Sequence, residues 1–473
     1  MIFGKLRKMA QISKINYSQL SNYFGRIDAE FYKPVSLYAD EIIKKINHKV
    51  LGHMVEDGYR VVYENTKILR EDKIAINKDA RFLQATNIST DGLWIEPNDI
   101  GFVKEQDWNK YPKGRIKIGE VLIEVKGAAE KVTIVQDYMP KRTLVTGTLF
   151  KLNLKPNTVS SEYLFAFFSS KYGKILRDRT KVNTLIAYVS KPELYRIPIP
   201  ILDNTQHNKI TELIKKSFIK QHESQILYQQ AKALLEKELG LDKITFKKPK
   251  SYIASLSAVV NSNRADADFY QTKFKQLEEH ISTLHSTHLA SICSLQKGYE
   301  VGTKLYTANG PTFIRVSNLT INGFTFGNSD KYISNNTYNI FKVHKPKIGD
   351  ILLTKDGTIG TCYVVDREVE GIVSSGIMNL TLSDASIPKE YLALVINSKI
   401  CQMQADRDCS GALITHWKPE QIRKMKIPIL SPKTMEHLAD LVTRSKIARK
   451  ESKQLLEQAK NRVEELIEEA AKK

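Results

Sequence analysis

The chain has 473 residues, a formal net charge of +20 and a sequence pI of about 9.4. That length exceeds what one hydrophobic core organises, and the excess of Lys and Arg points to a polyanionic partner, nucleic acid being the commonest. No apolar run reaches the roughly 18 residues of a membrane span, and Met1-Ile2-Phe3-Gly4-Lys5-Leu6-Arg7-Lys8 lacks the apolar core of a secretory signal, so a cytoplasmic protein without membrane contact is expected. The charge is uneven: residues 1–250 hold 43 Lys and Arg against 28 Asp and Glu, and residues 251–473 hold 29 against 24. Cys293, Cys362, Cys401 and Cys409 all fall in the second half, which argues against a disulfide framework or a shared metal site.

Taken in order, residues 1 to about 50 carry Arg26-Ile27-Asp28-Ala29-Glu30-Phe31-Tyr32, then Pro34 and a helix through Ile42, Ile43 and Ile46. Acids just before a helix read as capping groups, with a metal pair as the alternative. Residues 51–200 alternate short apolar runs with Gly and Pro, the pattern of a mixed, strand-rich domain. Asp57-Gly58-Tyr59 is followed by Arg60 and Tyr63, side chains suited to bases and phosphates. The run Glu120-Val121-Leu122-Ile123-Glu124-Val125-Lys126 ends in Glu-x-Lys, a nuclease signature for which Asp99 or Asp107 would have to supply an upstream acid. Lys171, Lys174, Arg177, Arg179 and Lys181 form the densest basic cluster. Their spacing forbids a single helical face, so part of the cluster is expected on the following loop.

Arg196-Ile197-Pro198-Ile199-Pro200-Ile201-Leu202 then leads into a long helix from Asp203 to Gly240, with Ile210, Ile214, Ser217, Tyr228, Ala231 and Leu235 on a coiled-coil seam. The whole arrangement returns. Arg264-Ala265-Asp266-Ala267-Asp268-Phe269-Tyr270 repeats the opening motif, and Phe313–Leu319 repeats Phe82–Ile88. Ile348–Leu353 repeats Ile118–Ile123, and Lys426-Ile427-Pro428-Ile429-Leu430 opens a second long helix with Leu438, Leu441, Ser445, Ala448, Leu455, Ala459 and Val463 on its seam. Asp57-Gly58-Tyr59 is matched to Lys297-Gly298-Tyr299, and Lys126 to Lys355, while Glu124 becomes Thr354. That loss disfavours a nuclease and favours phosphate contact by the lysines. Arg407, Lys418, Arg423, Lys424 and Lys426 fill the place of the first basic cluster, and Lys355-Asp356-Gly357-Thr358-Ile359-Gly360 is a tight turn. No phosphate-binding glycine loop, dinucleotide fingerprint or methyltransferase motif occurs, and His280, His285 and His288 lack zinc-site spacing.

The order of these motifs, twice over, resembles the specificity subunits of type I restriction-modification systems across nearly the full chain. The resemblance implies an α+β fold: two duplicated globular target-recognition domains joined by two long helices packed as an antiparallel coiled coil. The expected divisions are domain 1 at 1–200, spacer helix 1 at 201–240, a linker at 241–260, domain 2 at 261–430 and spacer helix 2 at 431–473. It also implies that each domain reads half of a bipartite site in double-stranded DNA, and that the helices dock two methyltransferase subunits and fix the half-site spacing. Restriction/translocase subunits complete the complex. The chain itself is then a non-catalytic subunit without a cofactor, and S-adenosylmethionine, ATP and Mg²⁺ belong to the partners. DNA contacts are expected from Tyr59, Arg60, Lys126, Lys131, Lys174, Arg177, Arg179 and Lys181 in the first copy and from Tyr299, Lys355 and Arg407 in the second. The alternatives are a metal-dependent nuclease using Glu124 and Lys126, and a coiled-coil interaction protein without DNA binding.

Overall fold

Both long helices contribute to both of the units into which the chain divides, Met1–Glu223 with Ala448–Lys473 and Ser224–Ile447. A computed structural model describes residues 13–472 apart from 17–19, 21–25, 62–65, 71–72, 97–98, 183–185, 247–248, 250, 328 and 410–414, so Tyr63 and part of the 241–260 linker lie outside the described residues.

The first unit runs α1 (Pro34–Lys44), β1 (Val55–Tyr59), β2 (Ala80–Leu83), β3 (Gly101–Val103), α2 (Glu105–Lys110), β4 (Val121–Glu124), β5 (Val132–Ile134), β6 (Thr143–Val145), β7 (Leu149–Leu154), α3 (Ser161–Ser169), α4 (Lys171–Thr180) and the first part of α5 (Asn204–Glu238). An antiparallel sheet β1-β7-β4-β5 lies beside a smaller sheet β3-β2-β6 in which β2 and β6 run parallel. β4 explains the placement. Side chains alternate across a strand, so Val121 and Ile123 enter the core built with α3, while Leu122 enters a second core with Leu83 and Val145. A strand covered on both faces is apolar without a break, which is why Val-Leu-Ile shows no alternation.

The second unit repeats this with α6 (Thr272–Ser282), β8 (Cys293–Lys297), β9 (Tyr306–Ile314), β10 (Lys331–Ile333), α7 (Asn335–Ile340), β11 (Ile351–Thr354), β12 (Cys362–Val364), β13 (Gly371–Val373), β14 (Ile377–Leu382), α8 (Lys389–Ile396), α9 (Lys399–Asp408) and part of α10 (Pro432–Ala470). Its sheets are β8-β14-β11-β12 and β10-β9-β13. Ile351 and Leu353 enter one core and Leu352 the other, as in β4. Buried polar bonds repeat too: the Tyr163 hydroxyl donates to Pro200 O at 2.8 Å, and the Tyr391 hydroxyl to Pro428 O at 2.9 Å. Cys293, Cys362 and Cys401 are buried thiols of this unit.

Register corrects two sequence matches. Tyr59 faces Lys151, and the counterpart of Lys151 is Asn379, which faces Gln296. Tyr59 therefore corresponds to Gln296, three positions before Tyr299, and Arg60 to Lys297; the register shift between Val55 and Asp57 accounts for one of the three positions. Likewise the Val125 and Lys355 amides donate to Thr148 O and Gly376 O at the same point of each sheet. Lys355 thus matches buried Val125, and Lys126, bridged to Tyr188, matches Asp356, bridged to His416. The two lysines are one position out of step.

The repeated Arg-x-Asp motif is a clamp rather than a metal pair. Arg26 chelates Asp28 through two nitrogens at 2.8 and 2.7 Å, and its guanidinium donates to Thr180 O and Lys181 O at the end of α4. Arg264 chelates Asp266 in the same way and donates to Arg407 O, Asp408 O and Cys409 O at the end of α9. In each copy the motif's tyrosine, Tyr32 or Tyr270, donates back to the arginine's own carbonyl. Carbonyls at a helix C-terminus lack intrahelical donors, and the arginine supplies them. Its hydrogen bond holds each aspartate below the usual carboxylate range.

In the first unit α5 buries Ile210, Ile214 and Phe218 with Leu456, Ala459, Val463 and Ile467 of α10. Leu456 is the buried residue there and Leu455 is half-buried, one position from the expected seam. Ser217 and Ser452 exchange hydroxyl-to-carbonyl bonds at 2.8 and 2.7 Å, and Gln206 accepts from Arg462, so the two segments run antiparallel. In the second unit Leu227, Ala231 and Leu235 pack with Met435, Leu438 and Leu441, and Ser445 donates to Ser224 O at 2.7 Å. Small residues at these points let one backbone come within a hydroxyl's reach of the other.

Candidate nucleic-acid interface

In the first unit β1 and α2 assemble aromatic and basic side chains at one surface. The Trp108 ring lies under two guanidinium groups, Arg115 at 4.4 Å and Arg142 at 5.2 Å. Arg115 also donates to Trp108 O, and Arg142 pairs with Glu105 at 2.9 Å, which fixes the stack. Lys113 lies 6.0 Å from the Tyr59 ring and Lys110 5.2 Å from Tyr111. Lys104, Lys110 and Lys113 are exposed. The second unit uses the same place after α7: Tyr299 stacks on Phe341 at 3.9 Å with His344 5.8 Å away, beside exposed Lys342 and Lys347. Burial lowers the basicity of His344. Cations set among aromatic faces are equipped for phosphates and for stacked bases.

A second cluster sits where the turn after the central strand meets the segment after α4 or α9. Arg60 donates to Gly147 O at 2.7 Å and to the Tyr188 hydroxyl at 2.9 Å, with its guanidinium 4.8 Å over the Tyr188 ring; exposed Lys126 pairs with Tyr188 along the backbone. In the second unit Lys355, buried, donates to Asp356 at 2.7 Å, and Asp356 meets His416 Nδ1 at 2.7 Å.

The remaining expected contact residues lie elsewhere. Lys131 donates to Ala85 O and Ile88 O and ties the two sheets of its unit together; burial lowers its basicity. α4 contains Lys171 through Arg179, so of the basic cluster only Lys181 follows the helix. The cluster divides by direction instead of by loop, because Arg177 and Arg179 point inward and are buried. Arg177 donates to Glu130 O and Phe168 O, and Arg179 to Phe31 O with Asp40 at 3.1 Å. Lys181 pairs with Asp178 at 2.6 Å, and Lys174 stays exposed. Arg407 pairs with Glu278 and Asp408. Glu124, the nuclease candidate, is buried and accepts the Glu130 and Lys131 amides at 2.9 and 3.2 Å. The Thr354 hydroxyl does the same for Thr361 at 2.9 Å, so the carboxylate and the hydroxyl both serve as turn acceptors.

Sequence reading passed over Trp108, Lys113, Arg115, Arg142, Tyr188 and His416. The signal was faint: Trp-x-x-Tyr-x-Lys-x-Arg over 108–115 has basic and aromatic residues interleaved, but no run of charge.

Among the described residues, no group of three or more His, Cys, Asp or Glu could hold a metal ion, and no helix is long and apolar enough to cross a membrane. Two duplicated α+β units, each with a basic and aromatic surface, define the class of molecule. No protein-family model matches the chain, and no curated protein matches it. Among solved structures it is similar to the type I restriction-modification S subunit from M. genitalium, with 11% identity and a TM-score of 0.37 over 90% of this chain and 95% of that one. It is similar also to the HsdS subunit from Thermoanaerobacter tengcongensis, with 12% identity and a TM-score of 0.27 over 88% and 95%. A type I R-M system structure described for complex assembly and conformational transition aligns with 12% identity and a TM-score of 0.28 over 90% and 97%.

Proposed function

We propose that the chain is the DNA-reading specificity subunit of a type I restriction-modification complex, each repeat reading one half of a bipartite site. The observation that carries this is the internal comparison. The two units keep the same central-strand register, clamp and buried tyrosine hydrogen bond, yet present different side chains at matched surface positions: Lys126, Tyr188 and Arg60 against Asp356, His416 and Lys297. One frame with two surfaces is what reading two unlike sequences requires. The long helices, as one antiparallel coiled coil, dock two methyltransferase subunits and set the half-site gap. S-adenosylmethionine, ATP and Mg²⁺ belong to those partners and to the restriction/translocase subunit. The domains correspond to residues 1–200 and 261–430, with Tyr59, Lys126, Lys174 and Tyr299 among the contacts. The use of Glu124 as a turn acceptor supports a non-catalytic chain over a nuclease.

The test is to map methylated positions in DNA from cells producing this chain with a type I methyltransferase subunit. A two-part asymmetric motif is expected, and exchanging residues 20–195 for those of a relative should change one half only. If both halves change together, the repeats do not read independently. A coiled-coil interaction protein would yield no motif and no salt-dependent DNA binding.

A further inference from the structure

The cluster at the turn after the central strand has a property the DNA-reading role does not by itself require: a backbone bridge falls at the same point in both units, while the side chains it carries differ in kind. In the first unit Lys126 and Tyr188 form a bridge, and Val189 N donates to Val125 O at 2.9 Å. In the second, Asp356 and His416 form the bridge, and Trp417 N donates to Lys355 O at 2.8 Å. Tyr188 and His416 therefore leave the same frame at the same point. Tyr188 is half-buried, and the His416 side chain is 58% exposed.

Each side chain is also oriented by an inner charge. Arg60 donates to the Tyr188 oxygen at 2.9 Å and lies over its ring, so the hydroxyl oxygen accepts from the guanidinium and the hydroxyl keeps its own hydrogen to donate to another group. At the other site Lys355 donates to Asp356 Oδ2 at 2.7 Å, and Asp356 Oδ1 lies 2.7 Å from His416 Nδ1. A carboxylate held by an ammonium group accepts hydrogen bonds, so Nδ1 must carry the hydrogen. In the neutral ring that leaves Nε2, on the far side, as an acceptor.

We infer that Tyr188 and His416 are matched specificity-determining residues of the two half-sites, Tyr188 presenting a hydrogen-bond donor to duplex DNA and His416 an acceptor. This rests on the DNA-reading proposal above and deepens it. In the major groove a donor selects guanine N7 or O6, adenine N7 or thymine O4, whereas an acceptor selects the amino group of adenine or cytosine. Arg60, Lys355 and Asp356 are positioning residues.

The experiment is selection of bound sequences from a random-sequence duplex DNA pool by the purified full chain and its variants, with thermal melting of each as a folding control. Wild type should enrich a two-part motif. Tyr188→Phe removes one hydroxyl and should lower base discrimination at one position of one half by about fivefold, the worth of a single hydrogen bond of about 1 kcal/mol. His416→Phe should do the same at one position of the other half only. Asp356→Asn keeps the imidazole but lets Nδ1 accept from an amide, turning Nε2 into a donor; the preference there should move from an amino-bearing base edge to an acceptor edge. Motifs unchanged in all three variants, or affinity lost evenly across sequences with the motif intact, would overturn the inference and make these residues packing or phosphate contacts. A wild-type chain that enriches no motif at all would instead overturn the DNA-reading proposal itself.

Discussion

The basic residues of the first unit fall into two sets whose contributions to the proposed DNA binding would be separated by salt. On α4 and just after it the positive charge is largely answered within the chain: Lys171 pairs with Glu468 at 2.6 Å and Glu464 at 3.5 Å, Lys181 pairs with Asp178, and Arg177 and Arg179 are buried. Only Lys174 of the expected α4 contacts is exposed. Around α2, Lys104, Lys110 and Lys113 are all exposed, Lys110 beside the Tyr111 ring and Lys113 beside Tyr59. Each lysine that meets a phosphate contributes about 0.9 to the slope of log affinity against log salt. Replacing Lys104, Lys110 and Lys113 by alanine should therefore flatten the slope by up to about 2.7, whereas replacing Lys174 and Lys181 should flatten it by no more than about 0.9. Fluorescence polarisation of a labelled duplex across a salt series reads both. A slope unmoved by the triple change and lowered by nearly two units in the Lys174 and Lys181 pair would refute the assignment and return the interface to α4 and its exit.

Matched positions in the two units give further outcomes. Glu124→Thr copies Thr354 and should leave melting temperature and DNA binding nearly unchanged; Mg²⁺-dependent nicking that disappears with this change would revive the nuclease. Lys151 and Glu120 form a buried pair at 2.7 Å, replaced in the second unit by Asn379 and Asp350 at 2.9 Å. Lys151→Met alone should cost about 3–5 kcal/mol in denaturant unfolding by stranding Glu120, and combining Glu120→Asp with Lys151→Asn should recover most of it. Asp28 and Asp266 are held below the ordinary carboxylate range, so the stability they add is present above that range and is lost as pH falls through their folded values; Asp28→Asn with Asp266→Asn should flatten the acid limb of a melting curve against pH. Inserting four residues after Gln225 adds about 6 Å and nearly one turn, and should widen the methylated gap by at most roughly two base pairs; an unchanged gap would remove the helices as ruler.

Much of the fold was legible because duplication supplies its own comparison. Apolar runs such as Val121–Ile123 and Ile351–Leu353 are buried on both faces, so their sequences tolerate little else, and they aligned correctly. The long helices were legible from their small and apolar spacing, though Leu455 and Leu456 show that adjacent leucines do not reveal which one turns inward. Strand ends were not legible. A one-residue shift between Val55 and Asp57 moves the counterpart of Tyr59 from Lys297 to Gln296, and the Gly-Tyr pair at 298–299, which drew the sequence match, lies two positions further on; nothing in composition announces either offset.

The site was harder to read than the fold because a cation's sequence position says nothing about its direction. Arg179 and Arg407, expected on the DNA, turn out to be one device used twice. Arg179 lies 4.1 Å over Phe31, whose other neighbour is Arg26 at 4.4 Å; Arg407 lies 5.5 Å over Phe269, with Arg264 at 4.7 Å. In each unit two guanidinium groups flank the phenylalanine of the Arg-x-Asp motif, while the first arginine binds carbonyls where α4 or α9 ends. The motif thus fixes the exit of the helix whose C-terminal extension reaches Tyr188 or His416. Repetition of the clamp with divergence of the side chain at the end of that extension is what the proposed reading role calls for: a constant point of departure lets the residue presented there differ between the two units.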